Sequence, residues 1–207
     1  MTIIPPIATE EPASHDEDFA RAEIYSLLAH LFYAPPAPAL LAQLREADED
    51  GSGSVLAPSW NALLACVRGM DASAIQDEHD ALFGGVGKPD VYLFGSHYLA
   101  GFLNEKPLVR LRDDLAALGL TRDPAMPETE DHIAYLCEVM RFLIAGTDAD
   151  TSNLTQQSEF FSTHIRPWAD DLSAAIVQQP AAQFYARLAE FFRDFVNVET
   201  QGFDMLP

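Results

Sequence analysis

Apolar residues recur at helical spacing along almost the whole of this 207-residue chain, and that periodicity limits the fold more than any other feature. Ile133, Leu136, Cys137, Met140, Leu143 and Ile144 stand at i, i+3, i+4, i+7, i+10 and i+11, one face of a helix closed by Gly146. Ile24, Leu27, Leu28 and Leu31 repeat the pattern near the start, and Phe184, Leu188, Phe191, Phe192 and Phe195 stripe a helix near the end. Phe161, Ile165, Trp168 and Leu172 keep the period across Pro167, which should kink or split that helix. Strand-type alternation and internal repeats are absent, so the expected fold class is all-α, a helical bundle in one domain.

Breaks in the pattern divide the chain. Residues 1–15 are rich in Pro, Ala, Thr and acid and read as a flexible tail, which leaves 16–207 for the helical domain. Pro35, Pro36 and Pro38 punctuate the first helix, and a short helix follows around Leu40, Leu41 and Leu44. Asp48 to Ser54 reads as a solvated loop, and helical patterns resume over 58–69 and 72–83. Gly84, Gly85, Gly87 and Pro89 then forbid a helix interior, giving a long irregular connection over roughly 84–94 between two halves of the bundle. Further helices are expected over 94–104, over 105–118 ended by Gly119, and from about 130.

The charge is lopsided. Asp and Glu number 32 against 12 Lys and Arg, a formal net charge of −20, so the surface repels nucleic acid and anionic lipid and attracts basic partners. With 48% hydrophobic residues the chain can bury a sizeable core. Cys66 and Cys137 form no close pair, which suits a reducing compartment. The N-terminus lacks a basic stretch followed by an apolar one, and no run approaches the roughly 18 apolar residues of a membrane span. These features make a cytoplasmic protein without stable membrane association the expectation.

Catalytic signatures are missing. His15, His30, His79, His97, His132 and His164 form neither H-x-x-x-H nor H-E-x-x-H, and Glu-x-x-His, the spacing of di-iron bundles, does not occur. The G-x-S-x-G elbow is absent, and the 84–90 glycine run lacks the strand and the Lys-Ser/Thr pair of a phosphate loop. No enzyme activity, cofactor or metal is expected.

Two segments stand out instead. Glu78-His79-Asp80-Ala81-Leu82-Phe83 precedes the glycine run, with Glu78 and Asp80 expected to face outward and Leu82 and Phe83 to pack at a helix end. Met126-Pro127-Glu128-Thr129-Glu130-Asp131-His132 opens the strongest helix. One reading makes Thr129 its cap, with Glu130 and Asp131 in the first turn complementing the helix dipole. The other presents carboxylate and imidazole together beside a loop, suited to an arginine guanidinium.

These segments resemble the TorD/DmsD/NarJ family of redox-enzyme maturation chaperones. That family carries an aromatic-x-x-Leu-Phe motif, a Gly- and Pro-bearing loop, and a Glu-Pro-x-Asp-His motif opening a helix. Here they appear as His79 to Phe83 and Glu128 to His132. The run from Tyr25 through Pro35-Pro36 resembles the family's first helix, and His164 to Trp168 with Tyr185 to Phe195 resembles its last two. The likeness runs from about 18 to 196, with two departures: His79 stands for the aromatic and Thr129 for the proline.

The resemblance implies a TorD-like bundle that binds the twin-arginine signal peptide of a molybdenum or tungsten oxidoreductase and holds the apo catalytic subunit until cofactor insertion. The departures point toward a formate dehydrogenase or a similar enzyme as client. Carried onto this chain, the peptide-binding residues are Tyr25, Glu78, Leu82, Phe83, Tyr92, Glu128, Asp131 and His132. Glu128, Asp131 and His132 would receive the arginines; Tyr25, Leu82, Phe83 and Tyr92 would line an apolar groove. A NarJ-like factor that binds an enzyme subunit or basic segment without a twin arginine is the first alternative, and a metal-dependent helical enzyme the second. The resemblance allows a monomer or a dimer that swaps helices about the 84–94 connection.

Overall fold

Proline and glycine set where the helices stop. The computed structural model describes residues 12–84, 88–103, 106–123, 125–146 and 154–206. Ten helices are present among them: α1 (Pro12–Tyr33), α2 (Pro38–Glu46), α3 (Ala57–Gly69), α4 (Ala72–Phe83), α5 (Gly95–Ala100), α6 (Lys106–Ala117), α7 (Ile133–Ala145), α8 (Leu154–His164), α9 (Arg166–Val177) and α10 (Phe184–Asp204). No strand forms among the described residues; one isolated bridge joins Phe94 to His132. The fold class is all-α, as the periodicity predicts.

Pro35 and Pro36 separate α1 from α2, and Pro38 opens α2, where its missing N–H costs nothing. Pro167 splits the expected continuous helix into α8 and α9 and sits in the first turn of the second. Helix α1 begins at Pro12, inside the segment expected as a tail, and residues 1–11 lie outside the described residues, as do Gly85 to Gly87. Asp48 to Ser54 is non-helical and mostly exposed, ordered by Ser52 N–H and the Ser54 hydroxyl on Asp50.

Two packings organise the bundle: α1 lies against α7, and α10 lies against both α9 and α3. The α10 stripe of Phe184, Leu188, Phe192 and Phe195 is fully buried with Trp168, Phe161, Tyr185 and Phe32. Each such side chain contributes about 1.5–3 kcal/mol by leaving water. One connected apolar cluster takes residues from α1 through α10.

A buried polar contact ties the chain's ends. Glu199 of α10 accepts Arg21 Nε at 2.7 Å and Nη2 at 2.9 Å, and the Tyr25 hydroxyl at 3.0 Å. Tyr25 is fully buried, its ring edge-on to Phe195 at 4.9 Å. It therefore does not line a groove; the face of α1 that it shares with Leu28 and Phe32 points inward. Burial and the Glu199 charge hold its phenol well above the usual range.

Candidate functional site

The site grows from the end of α4. The chain leaves that helix at Gly84, where a Cβ would stand 2.9 Å from the Asp80 carbonyl oxygen. Val91 N–H then returns to the Leu82 carbonyl at 3.0 Å. Ahead of α5 the strip runs antiparallel to the start of α7: Gly95 N–H donates to Asp131 O and Ile133 N–H to Leu93 O, both at 2.9 Å. Gly95 lets the strip pack closely here: a Cβ would stand 3.1 Å from the Trp168 indole, closer than ordinary contact.

Asp131 locks this junction. Its Oδ2 accepts Ser96 N–H at 2.9 Å and its Oδ1 accepts the Thr129 hydroxyl at 2.6 Å, with the residue buried. The helix starts later than expected, at Ile133, so Glu130 and Asp131 are not in its first turn and Thr129 is not its cap. His132 is the cap: its Nδ1 accepts Ala134 N–H at 3.2 Å. Burial pushes the His132 pKa down to about 4, against the pull of Asp131, so the ring is neutral. With Nδ1 accepting, the ring proton sits on Nε2. A neutral imidazole in that tautomer offers a guanidinium no acceptor.

Phe94, Tyr33 and Tyr135 pack around that ring, with centroids 5.1, 6.3 and 5.7 Å from it. Beside it lies a cavity of about 120 Å3 lined by Phe83, Tyr92, Phe94, Glu128 and His132, with His79 in its wall. The geometry thus gathers Phe83, Tyr92, Glu128 and His132, with Asp131 directly behind. Glu128 is half-buried, and its carboxylate meets no partner among the described residues. Glu130 next to it is paired instead: burial opposes its charge, but Arg112 at 2.9 Å and Arg122 at 3.8 Å hold its pKa below the usual range.

Three expected residues lie elsewhere. Leu82 is fully buried in the core, because i−7 to Ile75 puts it on the inner face of α4. Glu78 does not face outward. Its two oxygens accept the N–H groups of Gln183, Phe184 and Tyr185 at 2.7–3.1 Å, satisfying the otherwise bare N-terminus of α10. Tyr25 is the third. His79, standing for an aromatic, packs as one, 5.3 Å from Phe83 and 5.6 Å from Tyr185.

The outer face of α1 carries what the sequence reading missed. A groove of about 790 Å3 runs between α1, α2 and α3 over Ile24, Leu27, Leu40, Leu56 and Trp60. It shares His30, Ala37 and Leu40 with a second hollow of about 510 Å3, which shares Tyr33 with the small cavity. Glu23, Asp50, Glu138 and Glu128 line the three; no Lys or Arg does. The signal was present in α1, whose apolar residues spread beyond one stripe: Tyr25, Leu28 and Phe32 inward, Ile24 and Leu27 half-exposed. Among the described residues no group of three or more His, Cys, Asp and Glu could hold a metal, and no helix is long and apolar enough to cross a membrane.

The family model described as nitrate reductase delta subunit matches residues 50–174. The chain belongs to this family. The TorD chaperone of Vibrio cholerae O1 (strain O395) is 26% identical over 204 residues, covering 90% of this chain and 93% of that protein. The TorD chaperone of Aliivibrio salmonicida (strain LFI1238) is 25% identical over 127 residues, 58% of this chain and 59% of the relative. A solved chain from Archaeoglobus fulgidus, described as a redox enzyme maturation protein, shares the fold with a TM-score of 0.56 at 15% identity, covering 94% of this chain and 99% of that one. This is a TorD-like member of the redox-enzyme maturation chaperones, a family whose role is not enzymatic.

Proposed function

We propose that this chaperone binds, in the cytoplasm, the twin-arginine signal peptide of a molybdenum or tungsten oxidoreductase and holds its apo catalytic subunit until the cofactor is inserted. One observation carries the reading: an apolar path along α1 whose charged lining residues, Glu23, Asp50, Glu138 and Glu128, are all carboxylates. A signal peptide pairs a basic stretch with an apolar one, and this path offers both kinds of contact along one helix face. From Glu23 to Tyr33 it follows eleven residues of α1, a rise of about 15 Å.

The roles differ from the simplest transfer of the family motif. Glu128 receives a guanidinium, since its carboxylate has no ion pair among the described residues and borders the cavity. Asp131 positions it by fixing the loop, and the Nε2–H of His132 suits a peptide carbonyl. Phe83, Tyr92 and Tyr33 give the apolar wall. Apolar burial at about 25 cal/mol per Å2 outweighs an exposed arginine–carboxylate pair at about 0.2–1 kcal/mol. The groove supplies the affinity and the carboxylates the register.

Calorimetric titration with twin-arginine signal peptides tests this. Binding to one peptide, weakened when its arginine pair becomes alanine, is the expected result; equal binding of the alanine peptide would sink the twin-arginine reading. The family description, a nitrate reductase subunit, favours one second reading, in which the same groove holds a segment of an enzyme subunit with no arginine pair. Equal binding would support that one.

A further inference from the structure

Pro35 and Pro36 end α1 at Tyr33, which leaves the helix's last side chain against the first turn of α7, where Tyr135 follows the His132 cap. The three rings form a triangle. Tyr33 lies 6.3 Å from His132 and 5.9 Å from Tyr135, and those two lie 5.7 Å apart. Such spacings are ordinary for packed aromatics, yet the packing does not enclose Tyr33. Its ring stays 37% exposed and borders both the 510 Å3 hollow and the 120 Å3 cavity. Glu128 shares that cavity with Tyr33 and His132, and its charge is felt at Tyr135. Burial first, then the neighbouring Tyr33 and the Glu128 carboxylate, push the Tyr135 phenol up to about 12. The nearby guanidinium of Arg122 is committed elsewhere: Nη1 donates to the Met126 and Glu128 carbonyls at 3.0 Å, and Nε lies 3.8 Å from Glu130. A carboxylate without an ion pair among the described residues thus stands beside an exposed tyrosine face.

We propose that Tyr33, backed by Tyr135, is the platform on which the guanidinium received by Glu128 stacks, and that this stacking makes the site prefer arginine to lysine. The inference rests on the peptide reading given above and adds to it the residue that reads the shape of the cation. A guanidinium is flat and weakly hydrated, so it lies against a tyrosine face while its edge N–H groups reach a carboxylate. An ammonium is compact and strongly hydrated, and it gains the ion pair with much less from the ring. Glu128 alone would therefore read charge, and an aspartate or glutamate on any exposed loop could do as much. The ring beside it supplies the difference between two residues of equal charge.

The test is a ratio of affinities. Calorimetric titration of the full chain compares three versions of a signal peptide that binds: the arginine pair intact, changed to lysines, and changed to alanines. The parent should hold the arginine version more tightly than the lysine version, and Tyr33→Leu should cut that ratio by about twofold to fivefold. Loss of apolar wall in Tyr33→Leu falls on all three versions alike and cancels. Tyr33→Phe keeps the ring and should keep the ratio. The side chain is partly exposed, so both variants should fold, and unchanged thermal unfolding verifies this. A ratio that Tyr33→Leu leaves unchanged overturns the stacking, as does an equal fall in Tyr33→Phe, which would assign the effect to the hydroxyl. A parent that binds the arginine and lysine versions equally, and the alanine version more weakly, also overturns it while leaving the peptide reading intact. Equal binding of all three versions, or none, sinks the twin-arginine reading, and a smaller probe then decides the stacking by itself. In NMR spectra of ring-labelled tyrosine, N-acetylarginine amide should shift the Tyr33 and Tyr135 signals more than N-acetyllysine amide does, and Glu128→Gln should remove the difference. Equal shifts, or none, overturn the proposal.

Discussion

The carboxylate of Asp131 accepts the main-chain N–H of Ser96 at 2.9 Å, across 35 residues of sequence. That bond joins the start of α5 to the loop that presents Glu128 and His132, so the loop's shape depends on a buried carboxylate. Asp131→Ala leaves the Ser96 N–H and the Thr129 hydroxyl without their acceptor and should cost about 1–3 kcal/mol in urea unfolding. Asp131→Asn keeps an acceptor and should cost less. Peptide affinity should fall with the loosened loop in the first variant more than in the second.

Glu78 supports a different end of the molecule. Glu78→Ala strips three N–H groups at the head of α10 of their acceptor and should destabilise by about 1–3 kcal/mol, read as a lower denaturant midpoint. Peptide affinity measured well below that midpoint should not change, because Glu78 borders none of the three hollows along α1. A loss of affinity at full folding would return Glu78 to the binding site.

Stability should fall on the acid side through His132. Its folded pKa of about 4 lies below the ordinary value of 6.5, so the unfolded chain takes up the proton first as pH falls. The contribution is full above about 6.5, declines between 6.5 and 4, and levels off below. The window corresponds to about 3 kcal/mol at most. Burial lowers His79 and His164 as well, and they act in the same direction. His132→Asn retains a capping acceptor and should flatten the curve of unfolding free energy against pH; an unchanged curve would refute the assignment.

Glu128→Gln should weaken an arginine-bearing peptide by about twofold to fivefold, within the range of a partly exposed ion pair, and leave unfolding unchanged. The same variant should bind the alanine-substituted peptide as the parent does. A larger apolar effect is expected from Leu27→Asp on the groove floor, since it removes contact area as well as adding a charge to be desolvated. If Glu128→Gln weakened both peptides equally, the carboxylate would not be reading arginine.

The α4 stretch marks how much of the site could be read without the fold. The motifs point to Phe83 and Glu128, 45 residues apart, and the structure brings both to one cavity. The same motif carries Glu78 and Leu82, yet both turn inward. Helical spacing tells which residues share a face; which face meets the core depends on what packs there, and α10 supplies three bare N–H groups that draw Glu78 in. Tyr25 turns inward for the same reason. Its partner Glu199 is 174 residues away, a pairing no local pattern encodes.

Local terms in the sequence by itself determined the helices, their proline and glycine boundaries, the excess of carboxylates and the two motifs. Spacing, φ restriction and charge are properties of residues near one another in the chain. The tertiary structure alone decided that Asp131 is tied to Ser96 and Thr129, that His132 caps α7 at Ile133, and that the apolar path follows Ile24 and Leu27. Each of these depends on which buried polar group finds which partner, and on where two helices leave a gap. Such choices follow from packing across the whole core, where an unpaired group costs more than a local preference can offset.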